Sequence, residues 1–86
     1  MNKPITDKQE FITLVKRWQR YVQSLLPETQ LIGYIKAEYG YYSVNMVKDY
    51  GITCNNLITT NGESITFWNS LNRPGYQIFI FDIPIN

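Results

Sequence analysis

Histidine is absent from the 86-residue sequence, and its absence bears first on catalysis. Histidine is the usual general base, the usual activator of a nucleophile and a common metal ligand. A catalytic carboxylate pair needs two acidic side chains facing each other across a cleft. The nearest candidates, Glu38 and Asp49, lie close to predicted strand ends, where solvated turn residues are expected. The five glycines are scattered and form no phosphate-binding loop. We therefore expect a protein that is not an enzyme and that holds no metal or small-molecule cofactor.

Cysteine and long apolar runs are equally scarce. Cys54 is the only cysteine, which excludes the internal disulfides typical of small secreted domains. A single thiol cannot form a zinc site, so Cys54 is expected to fill core space within a strand. No stretch approaches the ~18 apolar residues that a membrane span needs, and the first residues lack the apolar segment of a signal peptide. The sequence therefore predicts a cytoplasmic protein without a membrane partner.

Charge is sparse and nearly balanced. Charged residues make up 17% of the chain, and the formal net charge is +1. This excludes an acidic mimic of DNA and argues against binding to nucleic acid through bulk positive charge. Hydrophobic residues amount to 44%, which is typical of an ordered globular chain. At this length the whole of 1–86 is expected to form one small domain around a single core.

The first third of the chain has the hydrophobic spacing of an amphipathic helix. Apolar residues recur every three or four positions, at Phe11, Leu14, Val15, Trp18, Tyr21, Val22, Leu25 and Leu26. Pro27 ends the pattern because proline disfavours the helical conformation in the residue before it. The spacing predicts a helix over about 7–26 with one buried face.

The remaining residues, about 29–86, change to the period-two alternation of strands. Strands are predicted over 31–37, 42–46, 52–60 and 76–83. Asn61-Gly62 has the composition of a tight hairpin turn, and the segment 65–68 fits either a returning strand or a short helix. The predicted fold is α+β, with one N-terminal amphipathic helix packed on a four- or five-stranded, mostly antiparallel meander sheet.

A helix covers only one face of such a sheet, so the alternation also predicts which side chains point outwards. In the first strand, Leu31 and Gly33 are assigned with Ile35 to the core side. The outward candidates are Ile32, Tyr34, Trp68 and one of Ile78 or Phe79. The final strand is apolar on both faces, which indicates a central strand or an outer face covered by something else.

Two features exceed what a core of this size requires. The exposed side of the predicted helix carries Lys16, Arg17 and Arg20 with no acidic residue at its centre. It indicates a cationic patch for phosphate or an acidic partner, with an ordinary solvated helix face as the alternative. The strand region is rich in large aromatics, namely Tyr34, Tyr39, Tyr41, Tyr42, Tyr50, Trp68 and Tyr76. On an open sheet face such side chains stack on bases or anchor a protein partner; cross-strand packing with the hydroxyls outward is the alternative.

These features together predict a non-catalytic binding protein: an inhibitor, an antitoxin-like protein or an adaptor. It would bury its sheet face against one protein or against a second copy of itself as a homodimer, with Tyr34 and Trp68 as anchors. Small chains of this kind are often carried by phages and other mobile elements to counter host enzymes. This expectation rests on the size and type of the chain, since the sequence carries no motif of such a family. The alternative function is binding of RNA or another single strand, with aromatics stacking on bases. Phosphates would then be contacted by Lys16, Arg17, Arg20, Lys36 and Arg73.

Overall fold

The computed structural model describes residues 3–25, 28–54, 57–58 and 64–84 of the chain. Its elements in chain order are α1 (Lys8–Gln23), β1 (Thr29–Ala37), β2 (Gly40–Val47), β3 (Gly51–Cys54), β4 (Leu57–Ile58), α2 (Ser64–Leu71) and β5 (Gln77–Ile80). The strands form one antiparallel sheet in the order β4-β3-β2-β1-β5. The first four strands are a meander, and β5 returns to pair with the free side of β1. The predicted α+β architecture of an N-terminal helix on an antiparallel meander is confirmed.

The first helix, α1, begins after Asp7, whose carboxylate accepts a hydrogen bond from the Gln9 N–H at 3.2 Å. It ends at Gln23, earlier than predicted, and Ser24 caps it by donating its N–H to the Tyr21 carbonyl. The side chains on its buried stripe are Phe11, Val15, Trp18 and Val22. The predicted helix end at Leu26 and Pro27 lies outside the described residues.

A β-bulge in β1 changes the faces that its side chains occupy. The register of β1 against β2 shifts between Leu31 and Gly33, so Ile32 is the extra residue. The alternation therefore changes phase at this point. Ile32 is fully buried in the core, whereas Leu31 lies on the opposite face with 47% of its surface exposed. The predicted outward position of Ile32 and the predicted core position of Leu31 are both wrong for this reason.

Gly33 allows β5 to lie close against β1. A Cβ atom at this position would overlap the Phe79 carbonyl oxygen and would lie 2.9 Å from the Ile80 Cα. Gly33 is the register partner of Ile80, and Tyr34 is the partner of Phe79. The missing side chain therefore sets the position of β5 and, through it, the position of Phe79.

The second helix, α2, decides between the two interpretations of the segment 65–68 in favour of a helix. Phe67 and Trp68 are both buried in the core. Their rings contact Phe11 of α1, with centroid separations of 6.2 Å and 5.2 Å respectively. The prediction that Trp68 is an exposed anchor is wrong, because the helical conformation directs its side chain against α1.

Two predicted strands differ in extent from the observed ones. The predicted strand 52–60 is divided into β3 and β4, which pair with each other in antiparallel fashion. The residues between them, Asn55-Asn56, and the predicted Asn61-Gly62 turn lie outside the described residues. The predicted strand 76–83 is shortened to β5, because the sheet register with β1 ends at Ile80.

The final strand, β5, is apolar on both faces because each face meets a different layer. Ile78 and Ile80 belong to the core beneath the helices, whereas Phe79 faces the opposite side of the sheet. The Ile5 N–H donates to the Ile78 carbonyl at 2.8 Å along the side of β5 that β1 does not occupy. Trp18 Nε1 donates to the Phe81 carbonyl at 2.7 Å, which fixes α1 over the end of β5.

Candidate functional site

Four aromatic side chains meet on the sheet face that is turned away from both helices. Tyr34 is at their centre: its ring stacks on Phe79 with a centroid separation of 4.6 Å and 14° between the planes. The ring centroids of Tyr41 and Phe81 lie 5.6 Å and 6.0 Å from that of Tyr34, both tilted. Tyr34 and Phe79 are direct register partners on β1 and β5. The stack is therefore a consequence of strand pairing.

Together with one aliphatic residue, these rings form a surface that we call the outer aromatic face. Its members are Leu31, Tyr34, Tyr41, Phe79 and Phe81, of which Phe81, just beyond the end of β5, also packs against the core. Exposure across it is uneven, with Tyr41 65% exposed and Leu31 47% exposed, whereas Phe79 is buried. Phe79 therefore supports the surface from within, while Tyr41 and Leu31 are free to contact another molecule. A contiguous exposed apolar patch on a small domain commonly marks an interaction site.

The β1–β2 hairpin extends this surface beyond the sheet. Ala37 pairs with Gly40 at the end of the ladder, so Glu38 and Tyr39 form a two-residue turn. Tyr39 at this tip is 92% exposed. Lys36, the register partner of Tyr41, is exposed beside it on the outer face. Large polar and aromatic side chains thus continue from the outer aromatic face to the hairpin tip.

The basic residues predicted on the helix occupy a different side of the domain. Lys16, Arg17 and Arg20, which we call the helix cationic patch, are all exposed on α1. At about 100° per residue, Arg20 lies about 170° around the helix from the centre of the buried stripe. The patch therefore points away from the sheet, and the outer aromatic face lies on the sheet's far side. Of the predicted site residues, the structure brings Tyr34 and Lys36 together and leaves the three helix residues apart from them.

Two further residues discussed from the sequence, Arg73 and Cys54, belong to neither of these surfaces. Arg73 Nε donates to the Ser70 carbonyl at 3.0 Å, at the end of α2. Cys54 is buried in the core, as predicted, and burial raises the pKa of its thiol above the ordinary value of a free cysteine. A raised pKa opposes formation of the thiolate that nucleophilic chemistry needs. Within the described ranges, no three His, Cys, Asp or Glu side chains lie together in a way that would hold a metal ion.

The exposure of Leu31 was not predicted, because a regular alternation places this residue on the core side. The available signal was Gly33. A glycine inside an apolar strand indicates a bulge or a close backbone approach, and here it adjoins the bulge and permits the approach. A phase change at that glycine would have moved Leu31 to the outer face.

Comparison of the chain with protein-family models, with curated proteins and with solved structures gives no match. In the part of the chain that the structure describes, neither helix has the length and apolar character needed to cross a membrane. The two exposed surfaces therefore carry the functional evidence.

Proposed function

We propose that the protein is a non-catalytic binding domain that recognises a protein partner through the outer aromatic face and the adjoining hairpin tip. The exposure of Tyr41, at 65%, beside a Tyr34 ring that stacks on Phe79 is the observation that supports this best. Tyrosine is enriched among the residues that dominate binding energy at interfaces. Side chains already held by packing lose less freedom on binding, which favours affinity.

The composition of the hairpin supports a protein partner. Residues 38–43 read Glu-Tyr-Gly-Tyr-Tyr-Ser. Tyrosine, serine and glycine also dominate antibody binding loops, because tyrosine offers a large amphipathic contact area with only two side-chain torsions. The pairing of β1 with β2 holds the backbone of this segment in place. The ladder runs from the pair Ala37 and Gly40 at the hairpin tip to the pair Thr29 and Val47 at the other end. The partner that would match the outer aromatic face and the hairpin tip is a folded protein whose surface has an apolar pocket with a polar rim.

Binding of RNA or another single strand has less support. Single-strand binding combines stacking aromatics with a positively charged groove that follows the phosphates. Lys36 is the only basic residue in the five strands. Because the helix cationic patch points away from the sheet, a strand stacked on Tyr34 and Tyr41 would have a single cation from the sheet beside it. The geometry therefore favours protein over nucleic acid at this face.

The proposed partner is either a second copy of the chain, which gives a homodimer with apposed sheet faces, or a different protein. In the second case the domain acts as an inhibitor, an antitoxin-like protein or an adaptor. A net charge of +1 offers little electrostatic opposition to self-association. A reducing compartment such as the cytoplasm suits the free buried thiol of Cys54.

The experiment compares Tyr41→Ser with the matched control Tyr50→Ser. The two tyrosines are almost equally exposed, at 65% and 67%, but Tyr50 lies in the turn after β2, about 20 Å along the strand by its rise per residue. Light scattering over a range of protein concentrations measures self-association, and quantitative affinity capture from cell extract measures binding to other proteins. Loss of an interface anchor weakens binding by about 30-fold or more. We expect this loss for Tyr41→Ser and wild-type binding for Tyr50→Ser; equal behaviour of the two variants would contradict the proposal.

The same samples decide between protein and nucleic acid. We expect the purified protein to show the absorbance ratio of a protein, at 260 and 280 nm, at low as well as high salt. Nucleic acid that copurifies at low salt, is removed by high salt and is lost in Tyr41→Ser would favour the RNA alternative instead.

A further inference from the structure

The helix cationic patch is a second exposed surface that the proposed function does not use. Lys16, Arg17 and Arg20 lie within little more than one turn on the exposed side of α1. The i, i+3 and i, i+4 spacings make Arg20 a surface neighbour of the other two. Among the described residues, none of the three cationic groups has a hydrogen-bond or ion-pair partner. The patch is therefore free to bind an anion.

This clustering opposes helix stability, and the helix dipole offsets the cost for Arg20 alone. Like charges at i, i+4 destabilise a helix, whereas an acidic residue at those spacings would stabilise it. The other residues three or four positions from the patch are all uncharged, namely Ile12, Thr13, Leu14, Gln19, Tyr21, Gln23 and Ser24. Arg20 lies in the last turn, where a cation interacts favourably with the helix dipole. Lys16 lies a full turn earlier and gains little from that effect.

We propose that the helix cationic patch is a docking surface for a cluster of acidic side chains on a protein partner. Arg17 and Arg20 present planar guanidinium groups, which bind carboxylates through two parallel hydrogen bonds. Lys16 adds a third positive charge. Two or three Asp or Glu side chains on the partner would match this patch in charge and in size. Thr13 and Gln23, which flank it, are exposed and polar, so the contact depends on charge and hydrogen bonding and little on apolar burial.

An acidic protein surface fits the patch better than a nucleic acid does. Proteins that bind nucleic acid through its backbone commonly neutralise about 6–10 phosphates, and three cations fall short of that. Tyr21, the residue next to Arg20 in α1, is half-buried with its ring edge-on to Trp18 at 5.6 Å, so it offers no platform for bases. The patch therefore has neither the charge nor the stacking surface of a nucleic-acid site.

The position of the patch has a consequence for how the domain works. Because it points away from the sheet, a partner docked there would not compete with a partner on the outer aromatic face. The domain would then hold two partners at once, which is the adaptor form of the proposed function. Only this last step rests on the proposed function; the docking surface on α1 stands without it.

The test uses poly-L-glutamate as the probe and single-stranded polyuridylate as its competitor. The variant carries Lys16→Gln, Arg17→Gln and Arg20→Gln. The matched control carries Lys3→Gln, Lys8→Gln and Arg73→Gln, which removes the same charge from three other exposed positions. Circular dichroism checks that both variants are folded, and binding is measured by fluorescence anisotropy at several salt concentrations. Tyr41→Ser is included to separate this surface from the outer aromatic face.

We expect wild type, the control and Tyr41→Ser to bind poly-L-glutamate alike, with an affinity that falls as salt rises. The patch variant should bind about 3- to 150-fold more weakly, which is the range for the loss of three exposed ion pairs. Equal losses in the patch variant and the control would show an effect of net charge and would overturn the proposal. Tighter binding of polyuridylate through the same three residues would also overturn it, in favour of a nucleic acid. Loss of binding in Tyr41→Ser alone would place the anion site on the outer aromatic face.

Discussion

Replacing Gly33 with alanine is a minimal change that should displace β5. The new methyl group would overlap the Phe79 carbonyl oxygen and would lie 2.9 Å from the Ile80 Cα. Both obstacles are backbone atoms, which cannot rotate aside as a side chain can, so the strand itself must move. The φ of Gly33 lies outside the left-handed region, which means that space and not backbone conformation is the obstacle. Movement of β5 would loosen Ile78 in the core and Phe79 beneath Tyr34 at the same time.

The magnitude follows from two opposing effects. Overpacking a well-packed interior costs about 1–3 kcal/mol. Replacing a glycine also restricts the unfolded chain, which offsets about 0.4–1 kcal/mol. Taken near the middle of both ranges, the two effects leave a net loss of about 1–2 kcal/mol in the free energy of unfolding for Gly33→Ala. For a domain of this size each kcal/mol lowers the Tm by about 4–8 °C, so the Tm should fall by about 4–16 °C.

Thermal unfolding followed by circular dichroism and by the fluorescence of the buried Trp18 and Trp68 measures this loss. Ser43→Thr is the matched control, because it adds one methyl group at an exposed position of the neighbouring strand. Its free energy of unfolding should stay within about 0.5 kcal/mol of wild type. A Tm for Gly33→Ala equal to or above that of wild type would show that β5 does not lie as close to β1 as the structure has it.

Three further predictions follow from the positions of single side chains. In urea unfolding, Trp68→Ala should lose about 3–5 kcal/mol because it empties a core position, whereas Tyr41→Ala should stay within about 0.5 kcal/mol; similar losses would refute the assignment of their faces. Lys16→Glu should gain about 0.4–1 kcal/mol at low salt, because it exchanges a repulsive i, i+4 pair with Arg20 for an attractive one, and the gain should vanish at high salt. The raised thiol pKa of Cys54 means that the folded protein holds this proton more tightly than the unfolded chain does, so stability falls as the pH rises through the range in which the thiol of the unfolded chain loses its proton. Urea unfolding at about pH 8 and about pH 10 should show a smaller fall for Cys54→Ala than for wild type, and an equal fall would contradict the effect of burial.

The parts of the fold that were predictable from the sequence depend on local periodicity. The three-and-four spacing of apolar residues from Phe11 to Leu25 predicts a helix with one buried stripe. This prediction does not depend on which residues the stripe contacts. The alternation from Tyr34 to Ala37 and from Tyr42 to Met46 likewise identifies paired strands. It also places Tyr34 on the outer face, although its role in binding stays a proposal.

What was not predictable depends on contacts between distant segments. The bulge at Ile32 is set by the pairing of β1 with β2, and a regular alternation cannot reveal a one-residue change of phase. The burial of Trp68 depends on α2 packing against Phe11, which lies in another third of the chain. The separation of the two predicted binding surfaces follows from the layer order of helix and sheet. The sequence predicted that Arg20 and Tyr34 could belong to one binding site. The structure places them on opposite sides of the domain.

Photo-crosslinking from single positions tests most directly whether the outer aromatic face binds a protein. A photoreactive phenylalanine analogue replaces Tyr41 in one sample and Tyr50 in another, two positions of nearly equal exposure at 65% and 67%. Each variant is irradiated in the cells that produce the protein. We predict a discrete crosslinked protein, or a crosslinked dimer of the chain, from position 41 and none from position 50. Equal crosslinking from both positions, or a discrete product from position 50 alone, would contradict the account.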